Sequence, residues 1–317
     1  MRIAIATPAS RGSHKGNRVT ALRWAGHLRA LGHHVGLVDA WAGERCDLLV
    51  ALHATKSHAS VLRWREARPE APLVVGMAGT DLYQDLPASP EARRSLALAT
   101  RVTVLQARGV EALPPEIRPR ARVIEQSAVA APPTPAPDGV FRACLLAHVR
   151  AVKDAFVAAA AARRLPARSR LQVAHLGAAL DPDAAPAARA EMAANPRYLW
   201  LGEHRRREAL SILAGSQVLV ITSRLEGGSN ALSEAVAAGV PVLSTRIDGT
   251  VGLLGPDHPG YFPVGDPQAL AGLLLRAEED PAFLLQLRRS TARARPLVEP
   301  AREREAWRRL LAELFPG

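Results

Sequence analysis

Two carboxylates stand on either side of a bare turn in the stretch SRLEGGSNALSEAVAAGVPVLS, which runs from Ser223 to Ser244. Glu226 precedes Gly227, Gly228, Ser229 and Asn230, and Glu234 follows them about one helical turn later. The apolar run QVLVITS just before reads as a buried strand, so Ser223 to Asn230 is the loop at its carboxyl end. Ser229 or Asn230 is the candidate N-cap of the next helix, Gly239 its C-terminal stop, and Pro241 lies just beyond. The Gly-Gly step lets another group approach the backbone closely, and the free N–H groups of a helix start form an anion site. Leu232 and Val236 share a helix face. Glu234 lies ~200° from Leu232 at ~100° per residue, so it is expected to point into a cleft or into solvent.

Near a helix start a carboxylate contributes only ~0.3–1 kcal/mol. That does not explain Glu226 and Glu234 as a set around a Gly-Gly turn; a solvated turn with acidic flanks is the plainer alternative. Diol recognition explains the set, because one carboxylate can accept hydrogen bonds from two neighbouring hydroxyls. One glutamate would hold a ribose, the other a hexose, and the helix start the phosphates between them. Arg150 and Lys153, in LLAHVRAVKD, follow another strand-like run. As an ordinary basic helix start they would oppose the helix dipole unless an anion compensates.

A third cluster lies near the N-terminus. The loop SRGSHKGNR carries Arg11, Lys15, Gly16, Asn17 and Arg18. It is neither G-x-G-x-x-G nor a Walker A loop, yet a short basic, glycine-containing loop at a helix start suits a small phosphate-like anion. His53 and Lys56 follow the run DLLVAL, and Thr80 and Asp81 follow PLVVGMA. Lys15, Lys56 and Lys153 are the only lysines of the chain, and each falls in a predicted loop just after a strand, where α/β sheets bind ligands.

The elements that must position these residues alternate along the chain. RIAIAT, a helix near Arg18 to Leu31, HHVGLVD, CDLLVAL, PLVVGMA, RVTVLQ and ARVIEQ make a first series. The proline-rich SAVAAPPTPAPDG (Ser127 to Gly139) breaks it and reads as a linker. FRACLLA, a helix from about Lys153, RLQVAHL, YLWLG, QVLVITS, the helix with Glu234 and VPVLST make a second series. The expectation is an α/β protein of two doubly wound, Rossmann-like domains, residues 1–135 and 136–317, facing across a cleft. The tail REREAWRRLLAELF is an amphipathic helix at about 300–315, with Trp307, Leu310, Leu311 and Leu314 on one stripe, expected to pack back on a domain.

Composition narrows the class. The 317 residues carry a net charge of +11, but the arginines are scattered and aromatics are 4%, which favours small anionic ligands over nucleic acid. No apolar run reaches the length of a membrane span, and RIAIAT opens the chain without a charged-then-apolar leader, so a cytoplasmic protein is expected. Cys46 and Cys144 lie in apolar runs and read as buried thiols. The DPD of Asp181 to Asp183 imitates a metal-binding motif but sits in an Ala/Pro loop, and the histidines lack ligand spacing. Neither metal nor cofactor is expected.

Glu226 and Glu234 with seven residues between them, followed by AVAAGVPVLST, resemble the E-x7-E motif of retaining glycosyltransferase family 4. The resemblance implies the GT-B fold, with Glu234 on the ribose diol, Glu226 on the donor hexose, and Gly227, Gly228, Ser229 and Asn230 facing diphosphate and sugar. It also implies that Arg150 and Lys153 neutralise the diphosphate, although their spacing is tighter than the usual R-x4-K. Glu226, Arg150 and Lys153 would be the catalytic set. More narrowly, GNRVTALRW, DLLVALHATKS, GTDLYQDL, HVRAVKD, YLWLGE, EGGSN and GLLGPDHPGYFPVGD look like the selenosugar synthases of bacterial selenoneine biosynthesis. That likeness implies UDP-N-acetylglucosamine or UDP-glucose as donor and selenophosphate as acceptor. Lys15, Gly16, Asn17, Arg18, His53, Lys56, Thr80 and Asp81 would form the acceptor side. Transfer of a hexose to a hydroxyl, and a basic nucleic-acid-binding α/β protein, are the competing readings.

Overall fold

The computed structural model describes residues 1–9, 12 and 16–316. Lys15, Arg11 and His14 lie outside the described residues. Strands β1 (Arg2–Ala6), β2 (His34–Val38), β3 (Leu48–Leu52), β4 (Leu73–Gly76), β5 (Arg101–Val104) and β6 (Ala121–Val123) form one parallel sheet in the order β2-β1-β3-β4-β5-β6. Strands β7 (Phe141–Leu146), β8 (Leu171–Leu176), β9 (Tyr198–Gly202), β10 (Val218–Ile221), β11 (Val242–Thr245) and β12 (Tyr261–Phe262) form a second, in the order β12-β11-β10-β7-β8-β9. Strand order reverses between β1 and β3 in the first sheet, and between β7 and β10 in the second. In open α/β sheets ligands bind outside the strand ends at such reversals.

Alternation along each strand builds a core on both sheet faces. Ile3, Ile5, Leu48, Val50 and Leu52 pack with Trp24 and Leu28 of the helix Gly16–Ala30, while Ala4, Ala6, Leu49 and Ala51 pack on the opposite side with Val61 and Trp64. In the second sheet Ala143 and Leu145 face one core, and Cys144 faces the other with Leu232 and Val236. Burial pushes the Cys144 thiol up to about 12, so it remains protonated and inert near neutral pH.

The chain divides into two compact units. One holds Met1–Ser127, Glu226–Gly228 and Glu299–Gly317; the other holds Ala128–Leu225 and Ser229–Val298. The change of unit falls after Ser127, at the start of the proline-rich segment. The proline-rich segment has no regular secondary structure, but it is fastened to the second unit. Arg142 donates to the carbonyls of Thr134 (3.0 Å) and Pro135 (2.8 Å), and Thr134 donates to that of Ser211 at 2.8 Å.

The helix Pro300–Leu314 belongs to the first unit, with Trp307, Leu310, Leu311 and Leu314 buried. Trp307 meets Trp24 edge-on at 5.0 Å. Glu303 is 1% exposed and receives the Arg23 guanidinium, the His27 ring, and the Ser127 amide and hydroxyl. Although burial opposes ionisation, Arg23 and these donors hold its carboxyl below the usual range.

Many arginines are spent on structure. Arg65 donates to the carbonyls of Leu98, Pro69 and Ala71, and Arg197 to those of Leu165 and Pro166. No helix among the described residues is long and apolar enough to cross a membrane, and none of their His, Cys, Asp and Glu side chains form a group that could hold a metal ion.

Candidate functional site

In the second unit the loops after β7 and β10, which flank the strand-order reversal, are tied together. Beyond β7 the chain runs through a short 3-10 turn, Ala151–Lys153, and reaches the helix Phe156–Arg163 only after Asp154. Arg150 and Lys153 therefore lie ahead of the helix, not on it; Arg150 is exposed and Lys153 half-buried. From the β10 loop, the Thr222 hydroxyl donates to the Lys153 carbonyl at 2.8 Å and the Arg224 amide to the Val152 carbonyl at 2.9 Å. Nη2 of Arg224 stands 2.8 Å from Oδ2 of Asp154. Thr245, ending β11, donates from its hydroxyl to the Ser223 carbonyl at 2.7 Å.

The helix Asn230–Ala238 begins as the sequence indicates: Ser229 is its N-cap, accepting from the Leu232 amide, and Gly239 closes it with φ of 71°. Of the two placements expected for Glu234, cleft or solvent, solvent does not hold. Glu234 is 4% exposed and accepts a hydrogen bond from Arg206, the first residue of the helix Arg206–Ala214. A buried carboxylate needs a cation or several donors, and Arg206 supplies the cation.

Glu226–Gly228 group with the first unit, where Glu226 is 9% exposed. The close approach expected at the Gly-Gly step is made by the protein itself. A Cβ on Gly227 would stand 2.6 Å from the Ala78 carbonyl oxygen and 2.7 Å from Cα of Gly79. One on Gly228 would meet Cβ of Leu105 at 2.7 Å and Oε1 of Gln126 at 2.9 Å. No side chain fits at either position.

The residues after β3 and β4 come together in the same unit. His53 has a left-handed backbone, φ 76°, which is costly for a residue with a Cβ, and is 1% exposed. Its Nε2 lies 3.1 Å from the Thr80 hydroxyl, and its Nδ1 accepts from the Lys56 amide at 3.4 Å, which places the proton on Nε2. Burial pushes its pKa below the ordinary histidine value, against the pull of Asp81, so the ring is neutral.

Asp81 is fully buried and accepts from the amides of Ala54 (2.9 Å), Ala78 (2.8 Å) and Gly79 (2.8 Å). It fastens the two loops to each other and opens the π-helical turn Asp81–Asp85. Lys56 is exposed and Thr80 half-buried. Gly16, Asn17 and Arg18 form the first turn of the helix Gly16–Ala30 rather than a loop, with Gly16 exposed.

Residues 142–280 match the family model described as glycosyl transferases group 1. That segment is similar to group 1 glycosyltransferases over less than half of the chain. No curated protein matches the chain in sequence. Among solved structures, Anabaena HepE in complex with UDP and glucose is similar with a TM-score of 0.80 at 16% identity, over 99% of this chain and 100% of that one. Sucrose-phosphate synthase from Thermosynechococcus elongatus gives 0.80 at 17% identity, over 99% of each chain. The structure described as trehalose-6-phosphate from E. coli bound with UDP-2-fluoro glucose gives 0.73 at 11% identity, again over 99% of each. The fold is GT-B.

The segment matched by that model holds three residues that sequence reasoning passed over. Arg206 stands in the run EHRRR after YLWLG, a cluster of cations at a helix start whose cost was a usable signal. Asp154 and Arg224 carried no such signal, because their pairing depends on how two distant loops meet.

Proposed function

We propose that this GT-B protein is a UDP-sugar-dependent glycosyltransferase that moves N-acetylglucosamine or glucose from its nucleotide to selenophosphate. The observation that carries the donor assignment is the pair of loops at the β7–β10 reversal, which lie inside the group 1 match and bear Arg150, Lys153 and Glu226, with Glu234 on the following helix. The UDP and glucose held by HepE, and the UDP-2-fluoro glucose of the E. coli structure, support a UDP-hexose donor. The selenium acceptor rests on the sequence likeness alone.

In this reading Glu234 accepts from the ribose hydroxyls and Glu226 from the hexose. The N–H groups at Ser229 and Asn230 face the diphosphate. Arg150 and Lys153, rather than a metal ion, take up the charge on departing UDP. The anomeric C–O bond breaks with its electron pair going to UDP, through a transition state of oxocarbenium character. Selenium donates a pair to form the C–Se bond. Hydrolysis of the Se–P bond then gives the 1-seleno sugar and phosphate, with water supplying the hydroxyl to phosphorus.

Selenophosphate is already anionic, so it requires positioning more than deprotonation. Lys15, Gly16, Asn17, Arg18, Lys56 and Thr80 would hold it, while His53 and Asp81 keep their loops in shape. Transfer to a hydroxyl is the second reading, favoured by the match to group 1 as a whole. A hydroxyl would ask for a general base.

Incubation of the purified protein with UDP-N-acetylglucosamine or UDP-glucose, with and without selenophosphate, separates the two. Selenium-dependent UDP release and a seleno sugar by mass spectrometry are expected. UDP release that ignores selenophosphate but responds to hydroxyl acceptors would establish the second reading instead.

A further inference from the structure

Asp154 joins two costs in one residue. Its φ of 46° is left-handed, a region that side-chain-bearing residues other than Asn and Asp rarely enter. It is also the C-cap of the turn that carries Lys153. Its Oδ2 is buried and has no aligned hydrogen-bond donor among the described residues, although Nη2 of Arg224 lies 2.8 Å away. The contact is thus an ion pair off the hydrogen-bond axis. The Arg224 side chain is 58% exposed, so the pair adds little to stability. Yet it closes a set of three links between the two loops at the β7–β10 reversal, beside Thr222 to Lys153 and Arg224 to Val152. Arg224 stands two residues before Glu226, and Asp154 directly after Lys153.

We infer that Arg224 and Asp154 are positioning residues, a clasp that fixes the loop of the diphosphate-binding cations against the loop leading to the sugar-binding carboxylate. The inference rests on the donor reading above. UDP draws on the first loop, on the helix start at Ser229 and Asn230 and on Glu234, whereas a UDP-hexose draws in addition on Glu226, which lies two residues beyond Arg224. Releasing the clasp therefore penalises the sugar-bearing ligand more than the bare nucleotide. A misplacement of about 1 Å is enough to matter at such a site.

Calorimetric titration with UDP and with UDP-glucose, alongside thermal melts, tests this in Arg224→Ala, Arg224→Lys, Asp154→Asn and Asp154→Gly. Asparagine and glycine both accept the left-handed backbone, so these two variants remove the charge without disturbing the turn. UDP-glucose affinity is expected to fall about tenfold in Arg224→Ala, Asp154→Asn and Asp154→Gly, a loss of about 1.4 kcal/mol. UDP affinity should fall threefold at most, roughly 0.7 kcal/mol, melting temperatures should hold, and Arg224→Lys should recover most of the loss. An unchanged ratio of UDP-glucose to UDP affinity in both Asp154 variants would overturn the clasp while leaving the donor reading intact. Failure of the wild-type protein to bind UDP at all would overturn both.

Discussion

The carboxylate of Glu234, 4% exposed, is paired with the guanidinium of Arg206, whose side chain is 47% exposed. The pair joins the start of the helix that follows β9 to the middle of the helix that follows β10. Glu234→Ala should weaken UDP binding by roughly 1.5–3 kcal/mol through loss of a charge-assisted contact to ribose. Arg206→Ala should weaken it less, and the double variant should lose less than the sum, since residues in direct contact couple. Calorimetry on the four proteins checks this; strict additivity would mean that Arg206 does not act through Glu234.

In the proposed reading Glu226 holds the hexose, so Glu226→Ala should lower turnover of the sugar donor while UDP affinity stays within about twofold, under roughly 0.4 kcal/mol. Steady-state rates together with UDP titration decide it. Equal loss of UDP binding in the Glu226 and Glu234 variants would refute the division of labour.

Gly177 follows β8 and faces the turn after β7. A Cβ there would fall inside van der Waals contact of the Ala147 carbonyl, at a φ of +158°. Gly177→Ala should cost about 1–3 kcal/mol and displace the loop that carries Arg150. A lower melting temperature and weaker UDP binding are expected together. Gly272, inside the helix Pro267–Glu279, has nothing within 4 Å of an added Cβ, so Gly272→Ala should stabilise by about 0.5–1 kcal/mol.

His175 is fully buried between the Tyr198 hydroxyl (2.6 Å) and the Ala147 carbonyl (2.8 Å), and burial pushes its pKa down to about 4. The unfolded histidine, at 6.5, binds a proton first as pH falls. Stability is therefore full above pH 6.5 and declines on the way to about pH 4, with His53 and His258 shifted in the same direction by burial. Urea unfolding at pH 7 and pH 5 should show a loss from His175 of roughly 2 kcal/mol. His175→Gln should remove that share; an equal decline in the variant would assign the acid sensitivity elsewhere.

Much of the fold was legible because buried parallel strands must be continuous apolar runs. RIAIAT, CDLLVAL, QVLVITS and VPVLST each became strands, and Ser229 and Gly239 ended the helix between them as their chemistry requires. β12 escaped because two residues, Tyr261 and Phe262, are too few to show a period. Asp181 to Asp183 form the expected turn, but the Ala/Pro run beyond them becomes the helix Ala184–Ala194, since alanine outweighs a single early proline. The Arg206 partner of Glu234 was hidden for a different reason: a helical wheel assigns a face, but the partner on that face comes from elsewhere in the chain.

Residue order alone determined two α/β halves, the strand-end loops that carry the cations and carboxylates, and the glycines at which the backbone must be bare. Those properties are local, set by hydrophobic periodicity and backbone sterics within a few residues. Tertiary structure decided what occupies the bare backbone and what neutralises the charges. Gly227 and Gly228 admit Ala78, Gly79 and Leu105, Asp81 fastens loops, and Arg206 and Arg224 meet Glu234 and Asp154. Each of these depends on parts of the chain far apart in sequence, whose proximity is fixed only when the strand order is.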